Sequence, residues 1–173
     1  MRALAFWKTV TMDQSNLLDQ LIALFSEHRT RFCVIGGQAV NAYAEPVVSL
    51  DLDMVVSTEQ LEELESVLRR TFKLERFPNS LNVSLPESDL RIQIQTDSRY
   101  ADFLVRAEPR SILGLTLPVA SLEDLLQGKI WAVQDPTRPP SMRQKDLADI
   151  ARLLEAHPKL LERIPQEVQE RLL

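Results

Sequence analysis

Apolar residues recur along the chain at two spacings, and the switches between them outline an α/β protein. Over residues 14–28 (QSNLLDQLIALFSEH), Leu17, Leu18, Leu21, Ile22 and Phe25 fall at helical spacing. RFCVI at 31–35 is a short apolar β-run stopped by Gly36-Gly37, and QAVNAYA at 38–44 reads as a short helix. SLDLDMVV at 49–56 alternates and then turns apolar, the pattern of a half-buried strand. Ser57 and Gln60 form a capping-box signature ahead of an amphipathic helix at 58–71, carrying Leu61, Leu64, Val67 and Leu68.

Further β-runs fall at 73–77, 81–85 (LNVSL) and 90–96 (LRIQIQT), with Pro86 and Ser88 turning the chain between the last two. A short helix around 99–105 precedes a β-run at 112–119. Ser121 and Asp124 open a capped helix over 121–134, and DPTRPPS at 135–141 breaks the chain with its prolines. A strong helix covers 143–156, and a helical tail at 159–173 is interrupted at Pro165. The plan is one α/β (α+β) domain, with a core over 1–120 and a C-terminal helical segment over 121–173.

The composition narrows the chemistry. With 173 residues, 45% hydrophobic and 26% charged, the chain can bury a core without disulfides or structural metals. Its single cysteine, Cys33, lies between Phe32 and Val34 and reads as a reduced core thiol. Two histidines, His28 and His157, supply little for a histidine metal site or a serine-type triad, so carboxylates must lead any chemistry. No apolar run approaches the ~20 residues of a membrane helix. Arg2 is followed by too short an apolar patch for a signal peptide, so a cytoplasmic location is expected. A net charge of -5 argues against backbone-driven binding to nucleic acid and leaves a metal-held nucleotide open.

Residues two apart on a strand share a face. Asp51 and Asp53 therefore project together, with Leu50, Leu52 and Met54 on the other side. Two carboxylates ~7 Å apart suit a hard divalent cation, although a solvated strand face gives the same pattern. Gly36-Gly37 between a strand and a helix supplies backbone N–H groups for a phosphate, and a tight turn needing positive φ asks for the same residues. A phosphate cradle followed by a carboxylate pair on the next strand is the layout that a Mg-nucleotide requires. In strand 90–96, parity puts Arg91, Gln93 and Gln95 on one face and Leu90, Ile92 and Ile94 on the other. Asp51, Asp53 and Gln93 are expected to converge, with Leu50, Leu52, Met54, Ile92 and Ile94 in a core covered by helices 14–28 and 58–71.

The segment IGGQAVNAYAEPVVSLDLDMVV resembles the signature of the polymerase-β-like nucleotidyltransferases. RIQIQT at 91–96, SLEDLLQGKIWA at 121–132 and RQKDLADIARLL at 143–154 extend the resemblance to the AbiEii-type abortive-infection toxins and their bacterial relatives. It covers residues 31–156 and rests on the order and spacing of its motifs. It implies a minimal nucleotidyltransferase fold, a mixed sheet packed by helices, and a role in a toxin–antitoxin or phage-defence pair. By this resemblance Gly36 and Gly37 bind the triphosphate, Asp51 and Asp53 ligate Mg²⁺, Lys129 faces the phosphates and Asp146 stands near the active site. The residues alone also allow Lys129 as a solvated lysine at a helix end, and Asp146 and Asp149 as a polar helix face.

The chain departs from the pattern where the family carries its third carboxylate, which falls at Gln93. Asp89 and Asp97 share its parity but lie ~13 Å away along the strand. Val47, Val48 and Ser49 stand where relatives carry a basic residue and Thr. Three readings stay open: a transferase moving NMP from a nucleoside triphosphate to an RNA or protein hydroxyl, a degenerate nucleotide-binding module, and a component that binds a cognate antitoxin or other partner. The acidic charge does not favour a nucleic-acid acceptor.

Overall fold

A computed structural model describes residues 5–6, 8–9, 12 and 16–172. Helix α1 (Leu17–Glu27) buries Leu17, Leu18, Leu21 and Phe25, the stripe that the periodicity predicts, and positions 14–15 of the expected helix lie outside the described residues. Strand β1 (Phe32–Ile35) runs directly into α2 (Gly36–Val40). That helix begins at Gly36, earlier than the expected 38–44. Strand β2 (Asp51–Val56) is followed by a 3₁₀ turn (Thr58–Gln60) and α3 (Leu61–Leu68), so the expected helix over 58–71 is shorter and starts with a tighter turn. The capping box does not form there. Ser57 makes no side-chain cap, because the Gln60 side chain is drawn across to the start of β1, accepting from Arg31 N at 2.9 Å and donating to Arg29 O at 3.1 Å.

Strands β3 (Lys73–Phe77), β4 (Ser80–Ser84) and β5 (Arg91–Gln95) follow, then a 3₁₀ turn (Ser98–Tyr100) and α4 (Phe103–Arg106). The β-run expected at 112–119 is instead a hairpin of β6 (Glu108–Ile112) and β7 (Leu115–Val119). Its two-residue turn has positive φ at both Leu113 (54°) and Gly114 (81°), the geometry that matches strand twist. Helix α5 (Leu122–Gln134) starts at Ser121, whose hydroxyl accepts from Asp124 N, as the capping signal predicts. Helix α6 (Pro140–Ala156), a 3₁₀ segment (Pro158–Arg163) and α7 (Gln166–Gln169) complete the chain, with Pro165 capping the last.

The seven strands form one mixed sheet in the order β3-β4-β5-β2-β1-β7-β6. The pairs β2–β5 and β1–β7 are parallel and the others antiparallel. One cluster of buried side chains joins Leu52, Met54, Ile92 and Ile94 to Leu21 and Phe25 of α1, Leu64 and Leu68 of α3, and Ile130 and Ile150 of α5 and α6. Leu50 is an exception to the expected core. It stands 37% exposed, one residue before the first ladder residue of β2. On the opposite face a smaller cluster, Cys33, Ile35, Val55 and Ala120, is capped by Tyr100 and Phe103. Beside this cluster, β2, β5 and β4 turn polar residues to that face.

Candidate active site

Register brings the polar residues together. Parallel pairing places Asp51 beside Arg91 and Asp53 beside Gln93, while β4 sets Asn82 against Gln93. These side chains share the second face with Ile35 and Val55, as strand parity predicts. They floor a cavity of about 320 Å³, also lined by Gly36, Tyr100, Lys129, Arg138, Lys145 and Asp146.

Gly36 makes the close approach possible. Its φ of +70° suits glycine, and a Cβ at this position would collide with the Asp53 carboxylate. Asp53 is thereby packed against the turn. Burial pushes its pKa up to about 6, Asp51 adding to the rise and Lys129 opposing it. Asp51 is less enclosed and accepts from Arg91 Nε at 2.7 Å. Gly37 does not reach the cavity. It faces α6, where an added Cβ would lie 3.7 Å from Asp149 Oδ2.

Lys129 is neither solvated nor at a helix end. Midway along α5 and 9% exposed, its ammonium lies 2.9 Å from Asp146 and 2.6 Å from Asp149. Burial works against the charge, but Asp149 and Asp146 outweigh it and raise the pKa above the ordinary lysine value. Asp146, 1% exposed, also accepts from Arg138 at 2.5 Å. The two aspartates thus form the anionic half of a buried ion cluster rather than a polar helix face. Arg152 extends it, donating to Asp149 at 2.8 Å and, at 2.6 Å, to both Asn41 Oδ1 and the Glu45 carbonyl. Asn41 grips Val47 through both its N–H and its carbonyl, and Gln38 donates to Ser49 O at 3.2 Å. The segment that leads into the Asp51/Asp53 strand is therefore braced from α6.

Other candidates stay apart. Asp97 caps the turn after β5 and pairs with Arg99, and His157 bonds the Tyr43 carbonyl at 2.8 Å. Sequence reasoning did not find Asn82, Tyr100, Arg138 or Lys145. Asn82 had a signal in the alternation of LNVSL, which sets it opposite Leu81 and Val83, but its place beside Gln93 depends on strand order.

Asp51 and Asp53 fit one hard divalent cation, which keeps most of its waters and needs one or two carboxylates. Among the described residues there is no cluster of three or more His, Cys, Asp or Glu side chains that could hold a metal. Gln93 occupies the level of a third ligand without a charge. The lining of the cavity includes Lys129 and Arg138 with their partner Asp146, Lys145, and the apolar or aromatic Tyr100, Phe103 and Met142.

A mixed sheet with this Gly36 turn and Asp-x-Asp strand is the fold of the polymerase-β-like nucleotidyltransferases. The chain is similar in structure to the antibiotic-resistance factor ANT(2'')-Ia in complex with adenylyl-2''-tobramycin, at 17% identity over 93% of this chain and 99% of that one, with a TM-score of 0.62. The lincomycin-bound lincosamide antibiotic adenylyltransferase LnuA matches at 12% identity over 79% and 95%, TM-score 0.54. An antigenic nucleotidyltransferase-like protein from Paracoccidioides brasiliensis matches at 14% over 86% and 75%, TM-score 0.53. Among curated protein sequences none matches. The family described as nucleotidyl transferase AbiEii toxin, type IV toxin–antitoxin system, matches residues 17–172, and the chain belongs to it.

Proposed function

We propose that the protein binds a nucleoside triphosphate with one Mg²⁺ in this cavity and transfers NMP to an RNA or protein hydroxyl slowly as the sequence stands. The observation that carries the reading is the convergence of Gly36, Asp51, Asp53 and Lys129 on one cavity. Asp51 and Asp53 would hold the ion, the Gly36 turn would present backbone N–H groups to the phosphates, and Lys129 and Arg138, partly neutralised by Asp146 and Asp149, would face them beside Lys145. When bound, the metal neutralises charge on the phosphates.

Transfer joins the acceptor oxygen to the α-phosphorus as the bond to the β-phosphate breaks and pyrophosphate leaves. The acceptor proton passes to water, since Gln93, a neutral amide, cannot take it, and transfer is slow for that reason. Gln93 likewise gives no charge to a second, hydroxyl-activating ion. This same residue favours a second reading, a catalytically degenerate member acting with a cognate partner, for which the toxin–antitoxin setting of the family supplies the context.

Calorimetry with each nucleoside triphosphate, with and without Mg²⁺, tests binding. Asp51→Asn is expected to abolish it. A labelled-nucleotide transfer assay should show Gln93→Asp faster than the unmodified protein. Rapid transfer by the unmodified chain would show that another group replaces the third carboxylate. Absence of binding with Mg²⁺ or Mn²⁺ leaves only the partner-binding reading.

A further inference from the structure

Asp53, Gln93 and Asn82 form one row across β2, β5 and β4, and the row changes character along its length. Two neutral amides follow the carboxylate of Asp53, and Glu75 of β3 continues the row beyond Asn82. Asn82 lines the cavity, its Oδ1 is shielded from solvent, and no described residue donates to it. Such an oxygen is unfavourable until a donor arrives. Gln93 lies exposed beside it. Gln95, one level along, is fixed by accepting from the backbone N–H groups of Thr96 and Asp97 at 3.0 and 3.1 Å, and the Tyr100 ring closes that end of the cavity. The charged side chains next to Asn82 and Gln93 are already paired, Glu75 of β3 with Lys73 and Arg91 with Asp51.

Asn82 is two strand spacings from Asp53, roughly 9.5 Å. That is the reach of a nucleoside whose phosphates are held at the aspartates. Carboxamides read base edges by accepting from an exocyclic amino group and donating to the neighbouring ring nitrogen. We propose that Asn82 and Gln93 form the subsite that receives the nucleobase, and that it selects bases bearing an exocyclic amino group. The inference rests on the nucleotide-binding reading above. It makes Gln93 a recognition residue at the position where a carboxylate would have served a second ion. A base with a carbonyl instead of the amine sets its oxygen against the shielded Asn82 Oδ1, and that pair repels.

The test compares CTP with UTP and ATP with ITP, each with Mg²⁺, by calorimetry on the full chain. Amide proton–nitrogen spectra report the Asn82 and Gln93 side-chain NH₂ groups. The amino-bearing member of at least one pair should bind about tenfold more tightly, with both side-chain signals shifting. Asn82→Ala should erase the preference by weakening the favoured nucleotide. Asn82→Asp keeps an acceptor oxygen and should keep the preference, although affinity for every triphosphate falls; thermal unfolding checks that both variants fold. Equal affinity within both pairs, a preference that survives Asn82→Ala, or a reversed preference for UTP and ITP would overturn the base subsite while leaving nucleotide binding intact. If no triphosphate binds, the underlying reading fails and the subsite falls with it.

Discussion

Taking a carboxylate out of water favours its protonated form, and Asp53 bears this burden beside a second aspartate. Its folded pKa of about 6 lies above the usual value. Between the two values the folded chain keeps a proton that the unfolded chain releases, so stability falls as pH rises from about 4 to about 6 and is level above. Thermal unfolding of metal-free protein from pH 4 to 8 should show this slope as the difference between unmodified chain and Asp53→Asn, the variant melting higher at pH 7.5. Identical pH profiles would place the Asp53 carboxylate in water. Lys129→Met leaves two enclosed carboxylates one partner fewer and should cost about 3 kcal/mol by urea unfolding, whereas a solvated lysine would cost almost nothing. At this scale Asp51, Asp53 and Gln93 were legible because strand parity needs only one strand at a time. Arg138 was not, since it reaches Asp146 from a proline-rich loop whose path no periodicity describes. The burial of Lys129 was hidden for a similar reason, because two helices must pack before its partners are known.

Elements were legible where local chemistry and packing agree. The Ser121 cap forms as its spacing requires, and Ser121→Ala should destabilise α5 by about 1 kcal/mol in thermal or urea unfolding. At Ser57 the same kind of signal failed, because Gln60 has a stronger use in bridging to residues 29 and 31. The sequence pattern shows one β-run at 112–119 where the structure has a hairpin over 108–119, since Pro109 and Pro118 weaken the β pattern. They sit opposite one another, and β6 is an edge where a missing N–H is tolerated. Leu52 marks the side of β2 that faces the helices, and Leu52→Ala should cost about 2–5 kcal/mol by chemical unfolding. An unchanged midpoint would reverse the two faces of the strand.

At the scale of the molecule, the order of the strands in space differs from their order in the chain. The two central strands find partners late, with Val34 beside Val119 and Asp51 beside Arg91. Synthesis proceeds at about 5–20 residues per second, so a nascent β1 must wait on the order of 4–17 s before β7 exists to cover its open edge. During that interval the ribosome carries a chain whose most apolar strand has an unpaired ladder, the state that holding chaperones recognise. Ribosome-bound chains stalled before residue 115 should accordingly be cut rapidly by protease within residues 32–56, while chains extended past α6 resist. Equal resistance of both would mean that the first half of the sheet shields itself, and that this protein's vulnerability during its own birth is far shorter than its topology implies.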